Sequence, residues 1–220
     1  MGSQMIQIVI LAGIALFLIL RLRNVLGTRE GFEKPRELPG ETPSRQERAF
    51  EVIEGGGPDQ DIAHFVDVDS DAGQALAAMK GVDPDFGVVD FSHGARSAYE
   101  MIVMAYEQGD LDTLRDLLTP DVYGPFSEAI EARNEKGYTV EASFAGIREV
   151  RLTDAAFDAE TGEADITMRF VGELTSAVKD NEGRIVDGDP NAIRQQKDVW
   201  TFTRVMGSDD PNWLLSGTGG

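Results

Sequence analysis

The sequence predicts an α+β domain in which helices pack on one face of a curved antiparallel sheet. Apolar residues recur at helical spacing through residues 92–136, and from Val140 onward they alternate with a period of two. Gly or Pro marks each change of period. A run of helices followed by a run of strands places the helices together on one face of a meander.

The chain opens on a segment of a different kind. Residues 5–20, MIQIVILAGIALFLIL, are almost wholly apolar, and Leu22, Val25 and Leu26 extend the character. A helix over 5–20 is about 24 Å long and one continued to Leu26 about 33 Å, against a hydrocarbon core of about 30 Å. Residues 1–26 are therefore predicted to be a single transmembrane anchor, with Ile6, Ile8, Val9, Ile10, Leu11, Ile14, Leu16, Phe17, Leu18, Ile19 and Leu20 as its anchoring side chains. Residues 1–7 carry no Lys or Arg, whereas Arg21, Arg23, Arg29, Lys34 and Arg36 follow the apolar run. That asymmetry argues against a cleaved signal peptide and predicts a single-pass protein of the inner (plasma) membrane with its C-terminal domain in the cytoplasm.

Residues 27–69 lack a sustained apolar period and hold Pro35, Pro39, Pro43, Pro58 and three consecutive glycines from Gly55, so they are predicted to be a disordered, acidic Pro/Gly linker. Asp67, Asp69 and Asp71 have the spacing of a calcium loop, but Ala72 and Ala78 occupy the positions that need Gly and Glu. The better reading has Ser70 or Asp71 capping a helix over 72–80, with residues 70–90 as a short helix and connection.

Residues 91–220 form the predicted domain, and the segment from about Val82 is expected to carry its own core. Ser92 is read as the cap of a helix running to Gln108, with Ala95, Ala98, Tyr99, Ile102, Ala105 and Tyr106 on its buried stripe. Gly109 ends it and Asp110 caps a shorter, leucine-rich helix. Thr119-Pro120 starts a third, with Val122, Tyr123, Phe126, Ala129 and Ile130 inward and Gly137 beyond its end. A first strand spans Val140 to Leu152 with a bend at Gly146, and a turn over 158–162 leads to a second strand. Ala164, Ile166, Met168, Phe170, Gly172 and Leu174 share one face of that second strand. A polar loop over 179–190, a third strand over 193–206 and a short last strand over 213–217 complete the prediction.

Charge and composition narrow the function. Twenty Lys+Arg against 39 Asp+Glu give −19 overall, and residues 91–220 hold 12 against 24, so a phosphate backbone is repelled and nucleic acid is excluded as a partner. With no cysteine there is no thiol nucleophile or zinc-thiolate site, and His64 and His93 stand alone among polar and acidic residues. No cofactor or metal is predicted.

Residues 94–103 (GARSAYEMIV), Gly109-Asp110, residues 119–126 (TPDVYGPF), 169–176 (RFVGELTS), 187–190 (DGDP), 198–202 (DVWTF) and 210–214 (DPNWL) resemble, in the same order, a Tim-forty-four-like domain, and in particular the TimA-type adaptors of bacteria. The shape read from the elements also resembles the cone-like fold of nuclear transport factor two. These resemblances imply a membrane-associated, non-catalytic adaptor whose domain binds lipid or protein, with an apolar cavity between helices and sheet.

The candidate pocket or partner-binding residues are Tyr99, Tyr106, Phe126, Met168, Phe170, Trp200 and Phe202, which either line such a cavity or fill the core. The expected partner is a protein or peptide, basic or amphipathic, with lipid as the second candidate. The alternative is a small-molecule enzyme of the cone-fold isomerase or dehydratase type, with Asp198 set against Tyr99 or Tyr106 in the apolar cavity.

Overall fold

The computed structural model describes residues 59–219, within one compact unit, Ile53–Gly220. The predicted membrane helix and residues 27–58 of the predicted linker lie outside the described residues. Among the described residues no helix is long and apolar enough to cross a membrane.

The described residues are folded from Asp59 on, ahead of residue 70, so residues 60–69 of the expected linker belong to the domain. Helix α1, Gln60–Ala63, is a single turn, yet its Ile62 is 1% exposed and belongs to the core. Helix α2, Asp71–Val82, starts where the serine cap predicts, with Ser70 Oγ accepting the Gly73 N–H at 3.1 Å. It buries Leu76 and Met79 and packs on the first strand. A domain beginning near Val82 would lack all three of these side chains.

Helix α3, Val88–Gln108, begins five residues earlier than the Ser92 cap predicts. Its N-cap, Gly87, has no side chain to offer, and Asp61 takes that role from α1: its two carboxylate oxygens accept the Val88 and Val89 N–H groups at 2.8 and 2.9 Å. Ser92 lies inside the helix. Gly109 ends α3 at φ 75°, a left-handed cap that favours glycine, and the Asp110 carboxylate accepts the Thr113 N–H to open helix α4, Leu111–Leu117. Helix α5, Pro120–Glu135, starts on its proline after Thr119.

Four antiparallel strands follow in the order β1-β2-β3-β4: β1 Thr139–Phe157, β2 Glu163–Lys179, β3 Ile185–Val205 and β4 Leu214–Gly219. Three register shifts in β1 mark bulges, which bend a strand and raise its twist. The alternation predicted for β2 holds along its length: Ala164, Ile166, Met168, Phe170 and Leu174 are all buried. On β3 the structure corrects the prediction, because residues 185–189 pair with β2 instead of forming a loop. Gly188, at φ 79°, and Pro190 gave that stretch its loop-like composition; Gly188 is paired with Ala177, where a Cβ would meet the Ser176 carbonyl, and Pro190 falls where the ladder breaks between Asp189 and Arg194. β4 likewise runs to Gly219, two residues beyond its predicted end.

One core lies between the layers. Phe91, Ala95, Tyr99 and Ile102 of α3 meet Phe170 of β2 and Trp200 and Phe202 of β3, while Leu76 and Met79 close the core beside Leu152 and Ala155 of β1. Large side chains of this kind stabilise by about 1.5–3 kcal/mol each when fully buried.

Candidate functional site

Two open cavities flank α3 where it crosses the sheet. The first, about 390 Å³, lies between the C-terminal half of α3, the middle of α5 and the sheet at β3 and β4. Ile102 and Val103 give it an aliphatic wall. Tyr106 and Phe126, edge to face at 5.2 Å, form an aromatic corner, and Trp200 forms part of the sheet side. Gly109 closes α3 one turn after Tyr106, and Phe126 lies two turns into α5 after Pro120.

Two carboxylates give this apolar cavity its sign. Asp198 reaches it from β3 and Glu107 from the last turn of α3. Asp198 Oδ2 accepts the Tyr99 hydroxyl at 2.6 Å and Oδ1 accepts Gln196 Nε2 at 3.2 Å. Glu107 Oε2 accepts the hydroxyl of buried Ser176 at 2.8 Å. All of these donors are neutral, and neither carboxylate joins an ion pair among the described residues. Arg133 is turned to the Tyr106 carbonyl, 3.2 Å away, and does not line the cavity.

The second cavity, about 380 Å³, lies at the other end of α3 under the β3–β4 turn. Phe86, Phe91 and Trp213 line it, with the Phe91 and Trp213 rings 4.8 Å apart. Its cation, Arg204, is already paired with Asp83 at 2.9 Å.

Of the candidate residues, Tyr106, Phe126 and Trp200 meet at the first cavity. Tyr99, Met168 and Phe170 are enclosed in the core, and Phe202 borders the second cavity. Tyr99 is stacked on Phe170, with ring centroids 4.4 Å apart, and lies 4.7 Å from Trp200. Burial, together with the Asp198 carboxylate, pushes its hydroxyl well above the ordinary phenol range and keeps it protonated. Of this pair only Asp198 faces the cavity.

Sequence reasoning missed Glu107, Gln196 and Thr218. The first is the most consequential, and its only signal was its place one helical turn beyond Val103 on α3. No group of His, Asp and Glu suited to a metal ion occurs among the described residues.

A model of the Tim44-like domain matches residues 72–220. The mouse (Mus musculus) mitochondrial import inner membrane translocase subunit TIM44 is 24% identical over 132 residues, which are 60% of this chain and 29% of that protein. The Rattus norvegicus protein of the same name is 25% identical over 132 residues, with the same coverage. The chain thus spans less than a third of these relatives' length. Among solved structures, the intermembrane space region of chloroplast protein ARC6 aligns with 58% of this chain and 94% of its own, at 10% identity and a TM-score of 0.40. A conserved protein from Planctomyces limnophilus DSM 3776 covers 57% and 93%, at 18% identity and a TM-score of 0.31. The family match takes in the whole of α3 to β4 and all but the first residue of α2, so the chain belongs to the Tim44-like domain family.

Proposed function

We propose that this protein is a membrane-anchored, non-catalytic adaptor whose Tim44-like domain receives a basic, amphipathic segment of a protein partner in the cavity between α3, α5 and β3. The observation that carries this reading is the pairing of an apolar cavity with two carboxylates, Asp198 and Glu107, that have no cationic partner among the described residues. A Lys or Arg side chain fits such a site, since its stem packs along apolar walls while its head meets the carboxylates. The −12 balance over 91–220 supports a basic partner and disfavours an anionic lipid surface. The apolar run over residues 5–26 would hold the domain at the inner membrane on its cytoplasmic side and raise the local concentration of partners there. A TimA-type bacterial adaptor fits this reading.

The isomerase-type reading draws on the Tyr99–Asp198 pair. Tyr99 is fully enclosed, and its phenol is committed to the carboxylate, which supports a positioning role for it.

The test holds the full chain in nanodiscs of zwitterionic lipid and measures two probes across a salt series: a labelled basic amphipathic peptide and a water-soluble anionic short-chain phospholipid. Peptide binding that weakens with salt, and that weakens further in Asp198→Asn and Glu107→Gln, is expected. Phospholipid binding without peptide binding would make this a lipid-binding module. For topology, protease added outside an intact inner membrane is expected to spare residues 59–219.

A further inference from the structure

We infer that the first cavity also binds a small molecule, a linear aliphatic diamine lying lengthwise with one ammonium end at Asp198 and the other at Glu107. This rests on the reading of that cavity as a site for cations.

The two carboxylates line one cavity yet stand well apart, and the fold supplies two independent rulers for the gap. Asp198 Oδ2 accepts the Tyr99 hydroxyl at 2.6 Å, and that hydroxyl lies against Gly172 of β2, where a Cβ would stand 2.6 Å from it. Glu107 Oε2 accepts the hydroxyl of Ser176 at 2.8 Å, further along the same strand. At the rise of an extended strand, Gly172 and Ser176 are about 13 Å apart. Along α3, the axis advances about 12 Å from Tyr99 to Glu107. The rulers agree, and a gap of about 12 Å is too wide for one ammonium, which donates over about 2.8 Å.

Between the two acids the cavity is mainly apolar. Ile102, Val103 and Tyr106 succeed one another on α3 between Tyr99 and Glu107, with Phe126 and Trp200 opposite them. No other acidic side chain and no Lys or Arg lines the cavity, and the donors to Asp198 and Glu107 are neutral, so the charge of both is left unbalanced. The matching ligand carries a cation at each end and methylenes between. An extended aliphatic chain advances about 1.25 Å per bond. Allowing for the reach of each ammonium, chains from diaminobutane to diaminooctane touch both acids, diaminopropane falls short and diaminodecane has to buckle. Spermidine has the length of diaminooctane, but its inner ammonium would be desolvated against the apolar wall without a carboxylate to meet it. A cavity of about 390 Å³ is of the size that takes such small molecules. Occupied in this way, it is closed to the side chains of a partner segment, so diamine and partner compete.

The experiment titrates the full chain in zwitterionic nanodiscs with diaminopropane, diaminobutane, diaminohexane, diaminooctane, diaminodecane, spermidine and the one-ended hexylamine, by calorimetry and by displacement of the labelled basic peptide. Affinity is expected to peak between diaminobutane and diaminooctane, about tenfold or more above hexylamine, with diaminooctane ahead of spermidine, and the same diamines should displace the peptide. Asp198→Asn and Glu107→Gln each keep an acceptor for their neutral donor, and each is expected to bring the best diamine down to the level of hexylamine. Asp209→Asn, exposed in the β3–β4 turn, should leave the peak in place. Affinity that is flat or rises steadily with chain length, or that falls as much in Asp209→Asn, overturns two-ended binding and reports only general attraction to an acidic chain. Peptide binding that no diamine displaces also overturns it and leaves the cavity reading standing. If neither peptide nor diamine binds, the cavity reading fails and takes this inference with it.

Discussion

The Tyr99 hydroxyl and the Asp198 carboxylate are joined at 2.6 Å across the gap between α3 and β3, with the tyrosine in the core and the aspartate at the cavity. The two ends of this bond are unequal. Removing the hydroxyl leaves a carboxylate that water can reach through the cavity, whereas removing the carboxylate leaves a buried hydroxyl without a partner. Tyr99→Phe is therefore expected to cost about 1 kcal/mol and Asp198→Ala about 1–3 kcal/mol. Urea unfolding of both variants checks the order, and equal or reversed costs would contradict it. Because burial and Asp198 raise the Tyr99 hydroxyl, its share of stability is fully present below the ordinary phenol pKa and lost only as pH rises through the higher folded value. Tyrosinate absorbance from this ring is expected only when the domain unfolds.

Gly172 is the reason Tyr99 can sit where it does. A Cβ at position 172 would stand 2.6 Å from the Tyr99 oxygen and 2.8 Å from its Cε1, and the ring cannot swing away because Phe170 is stacked on it. Gly172→Ala is expected to destabilise by about 1–3 kcal/mol, the usual cost of overpacking a close-packed core. Introduced into Tyr99→Leu, which removes the ring, the same substitution should cost much less. A double-mutant cycle in urea measures the difference, and additive costs would mean that the strain lies elsewhere.

Local chemistry made much of this fold legible. The Ser70 and Asp110 caps, the left-handed Gly109 and the period-two face of β2 each act within a few residues, and each stands where the sequence puts it. The start of α3 was not legible, because its cap comes from Asp61, 27 residues upstream, and nothing near Gly87 announces it. The first part of β3 was hidden by Gly188 and Pro190, which usually signal a loop, but here Gly188 is paired with Ala177 and Pro190 falls at a ladder break. The same division runs through the candidate site. Aromatic residues on the right faces were visible, but which of them reach the cavity depends on how α3 and α5 cross the sheet. Glu107 looked like any acid near a helix end until Ser176 met it.

The core also reaches further toward the N-terminus than its periodicity suggests. Ile62, Leu76 and Met79 are at most 1% exposed and pack in the same cluster as Tyr99 and Phe202. A chain starting at Ile53 is expected to unfold in one cooperative transition. One starting at Val82 should lose that transition or show it at much lower urea, since each of these side chains is worth about 2–5 kcal/mol against alanine. Ile62→Ala tests the smallest helix on its own. A cost under about 1 kcal/mol would show that α1 is only loosely attached.

Asp61 ties α1 to two other helices at once, and its ionisation gives that tie a pH dependence. Its carboxylate accepts the Val88 and Val89 N–H groups of α3 and the Lys80 ammonium of α2 at 3.0 Å, while Asp59 lies 2.7 Å from the same ammonium. Burial acts to raise the Asp61 carboxyl, but the two amides and Lys80 outweigh it and hold the group below the usual carboxylate range. For Lys80 the balance is similar: burial acts to lower it, and Asp59 and Asp61 raise it above its ordinary value. The signs follow directly. A depressed carboxylate contributes stability that is complete above its unfolded pKa of about 3.9 and is lost as pH falls through the lower folded value. The raised ammonium contributes below about 10.4 and loses its share only as pH rises through its higher folded value, so both contributions are whole at neutral pH. Asp61→Asn keeps one acceptor but no charge, and at neutral pH it is expected to cost about 1.5–3 kcal/mol, the range for hydrogen bonds to a charged group. Other carboxylates also weaken the fold in acid, among them Asp110 and Asp158, whose values are lowered as well. The informative quantity is therefore the difference between wild type and variant, measured by urea midpoints from neutral pH downward. That difference should stay level to about pH 4 and shrink below it. A constant difference down to the acid limit would mean that Asp61 acts through its shape and not through its charge.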